Sequence, residues 1–306
     1  MSIKILSGLK IVFGIFLIFV LILILNPLKI LSTISSIQLI YLIPAVFLYA
    51  LTLGILAYRW QKILEDMNIQ VSLRQAYFAF VGGLLISDIT PGRIGEISRP
   101  FLLSKTPHEN KSILSVILDR SMDFATIAIL GTFGILFIIP GDKGKFIWAL
   151  AVPVIVIILI IAMWYSHRPF KRIVAFFRIP TLMNLIDITV DAVNGLKTPK
   201  ITVLRSILIT LLAWGGHTLR FLIIATSLGY SGNMLQLFFI LPLISILSIV
   251  PITISGLGLV EGMLALVLSD MGIPLYVGLT IALVDRGITV AIHVLVGLPA
   301  LKKKIM

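Results

Sequence analysis

The chain has 306 residues, of which 59% are apolar and only 12% charged, with a net charge of +12. Soluble globular chains carry about a quarter charged residues, so this composition excludes an ordinary soluble domain. Long unbroken apolar runs exclude the alternating pattern of a membrane β-barrel. There is no cysteine, which removes disulfides, zinc–thiolate sites, iron–sulfur clusters and thiol nucleophiles. What remains is an all-α polytopic membrane protein.

A helix crossing the hydrocarbon core needs about 20 mostly apolar residues. The first such run, 9–25, follows Lys4 and Lys10 and ends in Asn26-Pro27-Leu28-Lys29. No small-residue cleavage site follows, so it reads as a retained span rather than a secretory signal. Further spans are expected at 38–58, 112–139, 146–165, 205–228 and 274–300, about six in all. Two other apolar stretches, 73–105 and 234–270, are broken by Pro, Gly and charge. The first breaks at Asp88-Ile89-Thr90-Pro91-Gly92-Arg93-Ile94-Gly95-Glu96. The second breaks between Pro251 and Glu261, around Ser255-Gly256-Leu257-Gly258.

Loop charge sets the orientation. Arg59 and Lys62 fall in the expected loop 59–72, six further Lys and Arg residues fall in 166–204, and Lys302, Lys303 and Lys304 close the chain. The loops 26–37, 140–145 and 229–233 are poor in basic residues. The positive-inside rule then places both termini in the cytoplasm. It also accounts for the net charge without nucleic acid as a partner. With both termini inside, 73–105 must enter and leave on the cytoplasmic face and 234–270 on the external face. Both read as re-entrant helical hairpins. The segment 166–204 reads as a cytoplasmic basic linker, either an amphipathic surface helix or a solvated connection.

The two halves then match. Residues 38–139 and 205–300 each run span, broken hairpin, span, in opposite orientation, within a single transmembrane domain covering 1–306. Arg120 follows Glu96 by 24 residues in Leu118-Asp119-Arg120, and Arg286 follows Glu261 by 25 in Val284-Asp285-Arg286. These are the two Asp-Arg dipeptides of the chain. An inverted repeat with discontinuous helices is the pattern of secondary transporters, whose sites lie near midplane between the repeats.

Charged side chains in apolar helices are costly and mark function or pairing. Those in the apolar segments are Asp88, Arg93, Glu96, Arg99, Asp119, Arg120, Asp123, Arg220, Glu261, Asp285 and Arg286. Glu96 and Glu261 either tie the hairpins to Arg120 and Arg286 or take part in substrate binding. Asp119 and Arg120 point about 100° apart on a helix and so need different partners. Arg93 and Arg99 suit a phosphate or carboxylate, or snorkel to the cytoplasmic headgroups. Arg220 is a second anion contact or the partner of Glu261. Ser255, Thr253 and backbone N–H groups are what the second hairpin could offer a ligand. Asp285, Thr289 and His293 share one face, so a proton path along them stands beside a buried neutral histidine. No Walker A sequence occurs, and His108, His167, His217 and His293 have no metal spacing. No cofactor is expected.

The motifs Ile89-Thr90-Pro91-Gly92-Arg93-Ile94-Gly95-Glu96, Leu118-Asp119-Arg120 and Pro251-Ile-Thr-Ile-Ser-Gly-Leu-Gly-Leu-Val-Glu261-Gly262, followed by Asp285-Arg286, resemble the lysylphosphatidylglycerol synthase transmembrane-region family of flippase-like membrane proteins. The resemblance runs from about 10 to 300. It implies the fold and a lipid-translocation role in the cell membrane. It does not imply synthase activity, because the aminoacyl-transferase fused to the best-known members is not expected where only Lys302 to Met306 follow Leu301. The expected substrate is an anionic, phosphate-bearing phospholipid or polyprenyl-phosphate-linked lipid. Two alternatives stand beside it. One is an integral-membrane enzyme on a lipid phosphate, with Glu96, Asp119 or Asp123 as acid or base. The other is an accessory partner of a separate lipid-modifying enzyme or glycosyltransferase. A homodimer is a further expectation.

Overall fold

The computed structural model describes residues 3–90, 93–103, 109–138, 194–197, 199–248 and 252–302. The expected span 146–165, most of the linker 166–204, and Pro91, Gly92 and Pro251 lie outside the described residues. Those described are almost wholly helical, in the order α1 (Ile3–Ile24), α2 (Pro27–Ser35), α3 (Leu39–Asp66), α4 (Leu73–Asp88), a 3₁₀ segment (Ile94–Leu102) and α5 (Glu109–Ile138). After the undescribed stretch come α6 (Pro199–Ser227), α7 (Met234–Ser245), α8 (Leu259–Asp270) and α9 (Leu275–Lys302).

Local chemistry explains where these helices start. Asn26 caps α2 by accepting from the N–H groups of Leu28 and Lys29, with Pro27 at the first helical position. Ser72 and Gln75 form a reciprocal capping box at α4. Asn233 caps α7. At α8 the Glu261 carboxylate accepts from the Gly258 N–H at 2.7 Å, the glutamate half of a capping box.

Among the described residues three helices, α3, α6 and α9, are long and apolar enough to cross a bilayer, each at ~42 Å or more by helical rise. Large apolar residues stand exposed along them, among them Leu39, Ile40, Leu212 and Leu295. On a soluble protein such surface would be anomalous. Here it suits lipid contact, and the protein is a membrane protein. The span expected at 38–58 and the first part of the loop expected at 59–72 are one helix, because α3 runs on to Asp66. The loop expected at 26–37 is also corrected. It contains α2, bent 91° from α1, with Ile30 buried against Ala265 and Leu279.

α3 and α6 lie antiparallel. Gln38 donates to the Ser227 carbonyl at one end, and Arg205 meets Asp66 at 2.6 Å at the other. α4 lies antiparallel to α9, where Gly82 faces Ala300 and Gly297 faces the Val81 carbonyl. α5 approaches α7 with Gly134 against the Phe239 carbonyl. Small residues at such crossings let backbones come close, which is how apolar helices associate where no hydrophobic force separates them from lipid. Trp60, Phe80, Phe221 and Ile224 fill the core between these pairs.

The glycine crossing yields a test. A methyl at Gly134 would sit 2.5 Å from the Phe239 carbonyl oxygen, whereas one at Gly215 meets nothing within 4 Å. Gly134→Ala is expected to lose about 1–3 kcal/mol by overpacking, read as a lower melting temperature in detergent. Gly215→Ala should melt no lower than wild type.

Candidate functional site

The charges of the apolar segments converge. On the first half, Arg59 of α3 donates through Nε to Asp119 Oδ1 at 2.8 Å, and its Nη2 lies 2.8 Å from the same oxygen. Arg59 also pairs with Asp123 and donates to the Thr210 hydroxyl of α6 at 2.5 Å. The other oxygen of Asp119 accepts from Arg99 at 2.8 Å. Arg99 pairs with Glu96 and lies over the Phe80 ring, 3.8 Å from its centroid. Arg120 meets Glu96 at 3.1 Å and Asp123 at 2.7 Å. Three guanidiniums and three carboxylates therefore neutralise one another, with Arg59, Arg99 and Asp119 wholly buried.

The second half repeats the scheme with fewer members. Arg220 of α6 faces Asp285 of α9 with two nitrogens, at 2.8 and 2.9 Å. Arg286 Nε lies 2.6 Å from Glu261, and its Nη2 donates to the Ser255 carbonyl at 3.1 Å. In both halves an Arg of the long helix holds the Asp of an Asp-Arg dipeptide, and the dipeptide's Arg holds the Glu after the break. The halves also cross over. Arg59 reaches Thr210, and Arg220 lies over the Tyr49 ring at 4.1 Å. Arg59 follows Tyr49 by ten residues, as Arg220 follows Thr210.

A third group lies between them. Tyr49 Oη is 2.7 Å from His293 Nε2, and His293 Nδ1 is 2.5 Å from Asp88 Oδ2. This chain joins α3, α9 and the end of α4.

All of this surrounds a cavity of about 590 Å³ with a largely apolar wall that includes Leu53, Phe80, Ile94, Ile97 and Phe124. Of the residues singled out from sequence, Arg93, Glu96, Arg120, Arg220, Ser255, Glu261, Asp285 and Arg286 line it. Arg99 and Asp119 stand behind the wall, fully buried, where they hold lining residues in place. Arg99 neither faces the cavity nor snorkels to the surface, because Glu96 and Asp119 satisfy it inside. Arg93 differs from every other cavity cation. It takes a left-handed conformation, φ 56°, lines the cavity, and has no ion-pair partner among the described residues.

Several expectations are corrected by this geometry. Arg220 pairs with Asp285 rather than Glu261, since Glu261 is taken by Arg286 and by the Gly258 N–H. That same contact uses a backbone N–H that the second hairpin could have offered an anion. Arg120 does touch Asp119, at 3.3 Å, because the long guanidinium curls back, although its closer partners are Glu96 and Asp123. The sequence face of Asp285 and His293 does not form a path: His293 turns to Asp88 and Tyr49 instead. The residue that loop reading missed is Arg59. It was counted as a loop charge, but α3 continues through it and Asp119, Asp123 and Thr210 bind it inside. Glu96 pairs with Arg120 and Glu261 with Arg286, the structural one of the two readings the sequence left open. No group of metal-binding side chains occurs among the described residues.

Arg59 gives the second test. Removing one partner of a buried ion pair costs about 3–5 kcal/mol, so Arg59→Ala should unfold far below wild type in detergent. Lys62→Ala, whose pair with Glu65 is half-buried and reached by solvent, should change stability by about 0–1 kcal/mol.

Relatives fit this architecture. A family model for the lysylphosphatidylglycerol synthase TM region matches residues 8–297. A UPF0104 membrane protein of Pyrococcus horikoshii is 21% identical over 287 residues, covering 84% of this chain and 85% of that protein. A UPF0104 membrane protein of Methanothermobacter thermautotrophicus is 24% identical over 276 residues, covering 81% of this chain and 80% of that protein. The chain belongs to the lysylphosphatidylglycerol synthase TM region family.

Proposed function

We propose that this member of the family translocates an anionic, phosphate-bearing lipid between the leaflets of the cell membrane, as a flippase or scramblase. The observation that carries the reading is Arg93: a guanidinium facing an apolar-walled cavity with no carboxylate paired to it among the described residues. A guanidinium presents a planar fork of donors that matches phosphate. Every other cavity guanidinium, those of Arg120, Arg220 and Arg286, already holds a carboxylate. An anionic headgroup at Arg93 would satisfy the one cavity cation left open among the described residues, and the exposed apolar residues Ile94, Ile97 and Phe124 beside it would accept acyl or isoprenoid chain.

In this reading the two halves are an inverted repeat of a multi-pass protein with about six spans and both termini cytoplasmic. The broken segments 73–105 and 234–270 are re-entrant hairpins that alternately open the cavity to each side. Three features support the repeat: the antiparallel pairing of α3 with α6, the matched Arg–Asp and Arg–Glu pairs, and the reciprocal reach of Arg59 and Arg220 into the opposite half. Glu96, Asp119, Asp123 and Glu261 act as the frame that holds Arg120 and Arg286 at the cavity wall. Each carboxylate that an enzymatic reading would use as acid or base is held by at least two guanidiniums, which favours translocation over chemistry at those groups.

The test is leaflet accessibility of fluorescent phosphatidylglycerol in proteoliposomes. Wild type should move it faster than fluorescent phosphatidylcholine. Arg93→Ala should lower the rate at least about tenfold, the effect of losing one charge-assisted contact of 1.5–3 kcal/mol, with the melting temperature unchanged. Equal rates for wild type and Arg93→Ala would overturn the reading.

A further inference from the structure

Two cavity groups lack the kind of partner that all their neighbours have. Arg93 has no carboxylate. Asp88 is the one cavity-lining carboxylate, among the described residues, that no guanidinium holds; its partner is His293, at 2.5 Å. The two lie five residues apart in the same break. The other charges of the cavity wall and of the pairs behind it balance without them: Arg59, Arg99, Arg120, Arg220 and Arg286 stand against Glu96, Asp119, Asp123, Glu261 and Asp285.

We infer that Asp88, His293 and Tyr49 form a proton-binding site, and that the lipid anion crosses together with a proton. The inference rests on the translocation reading and adds its coupling ion. Imidazole is the side chain whose ordinary charge change falls near neutral pH. With neutral His293, Nδ1–H donates to Asp88 and Nε2 accepts from Tyr49 Oη. Hydronium delivers the proton to Nε2: one N–H bond forms there, one O–H bond of the hydronium breaks, and water is left behind. The added proton turns Tyr49 from donor to acceptor, and it turns the histidine–aspartate hydrogen bond into an ion pair. The cavity gains one positive charge.

That gain has a use. A singly charged headgroup on Arg93 brings one negative charge into a low-dielectric space, where uncompensated charge is expensive. A proton on His293 cancels it, so the loaded cavity can close to water neutral. The other charged or titratable groups turned toward this chain are Asp285 and Arg286 on α9, His217 and Arg220 on α6, and Arg93 in the break. Asp285 and Arg286 are held by Arg220 and Glu261, and Arg220 sits over the Tyr49 ring. Asp88 is thus the carboxylate free to take the new charge. Because Asp88 ends α4 and His293 lies on α9, strengthening their contact also fastens the first break to the last helix. Protonation is thereby linked to where Arg93 stands.

The test imposes a gradient of one pH unit across proteoliposomes carrying fluorescent phosphatidylglycerol and reads its leaflet distribution with a membrane-impermeant reductant. One proton per singly charged lipid should concentrate the lipid about tenfold in the leaflet facing the alkaline side, since a pH unit is worth about 1.4 kcal/mol. A pH dye in the lumen should record proton movement in step with the lipid. Glutamine can keep both hydrogen bonds of His293 without titrating, so His293→Gln should bring the leaflet ratio to one, as should Asp88→Asn. A wild-type ratio of one under the gradient, while lipid still moves, would overturn the coupling. So would a wild-type ratio retained by both variants. No protein-dependent movement at any pH would instead overturn the translocation reading, and the coupling with it.

Discussion

Charge carried into an apolar helix bundle has to be neutralised there, and this requirement organises the molecule. One charged side chain at a helix centre costs about 2.5–3.5 kcal/mol on insertion scales. The bundle holds far more of them than it could leave unpaired. Four of the guanidinium–carboxylate contacts join elements far apart in sequence: α3 to α5 through Arg59, the first break to α5 through Glu96, α6 to α9 through Arg220, and the second break to α9 through Glu261. Apolar packing alone would not select these pairings, because lipid is as apolar as leucine. The ion pairs specify which helices meet, and glycines such as Gly134 and Gly297 let them meet closely.

Neutralisation also fixes what the cavity can do. A wall whose guanidiniums and carboxylates are mutually satisfied has little affinity for a free ion, because binding would break an existing pair. In the proposed reading, ligand binding therefore falls to the groups left out of the lattice. The charged ones, Asp88 and Arg93, stand at one end of α4, on the first half, with His293 of the second half against Asp88. The second half contributes Ser255 through its carbonyl and Glu261 through both oxygens, and each is already engaged. The architecture is matched between halves, yet its chemistry is one-sided.

Much of this was legible in the sequence, and the gaps have physical causes. Breaks rich in Pro and Gly inside apolar runs marked both discontinuities. The near-equal spacing, 24 residues from Glu96 to Arg120 and 25 from Glu261 to Arg286, marked two candidate ion pairs, because a glutamate and an arginine carried into apolar segments each need a partner of opposite charge. Arg59 was not legible. It stands at the polar end of an apolar run, where a solvated loop charge and a buried helical one look alike. What decides between them is Asp119, 60 residues away. The partner of His293 was hidden for the same reason. Periodicity reports neighbours on one helix, such as Asp285, whereas the histidine turned to Asp88, more than 200 residues away. Helix α2 was missed because its nine residues are too short for a span, and Asn26-Pro27 reads equally as a turn or as a capped helix start.

The left-handed residues before the two glutamates supply a last argument. Arg93 precedes Glu96 by three residues at φ 56°, and Gly258 precedes Glu261 by three at φ 84°. The chain needs a positive φ at both places to turn into the following helical segment. Glycine meets that need without strain, whereas a side chain held there costs of order 1–3 kcal/mol. Gly258 shows that the turn itself requires no guanidinium, and its place is filled instead by close approach to the Gly14 carbonyl and Leu17 of α1. Arg93 faces open cavity. Strain kept at a position where glycine would serve the backbone is strain kept for the side chain, and the side chain points at the space where a lipid headgroup would sit.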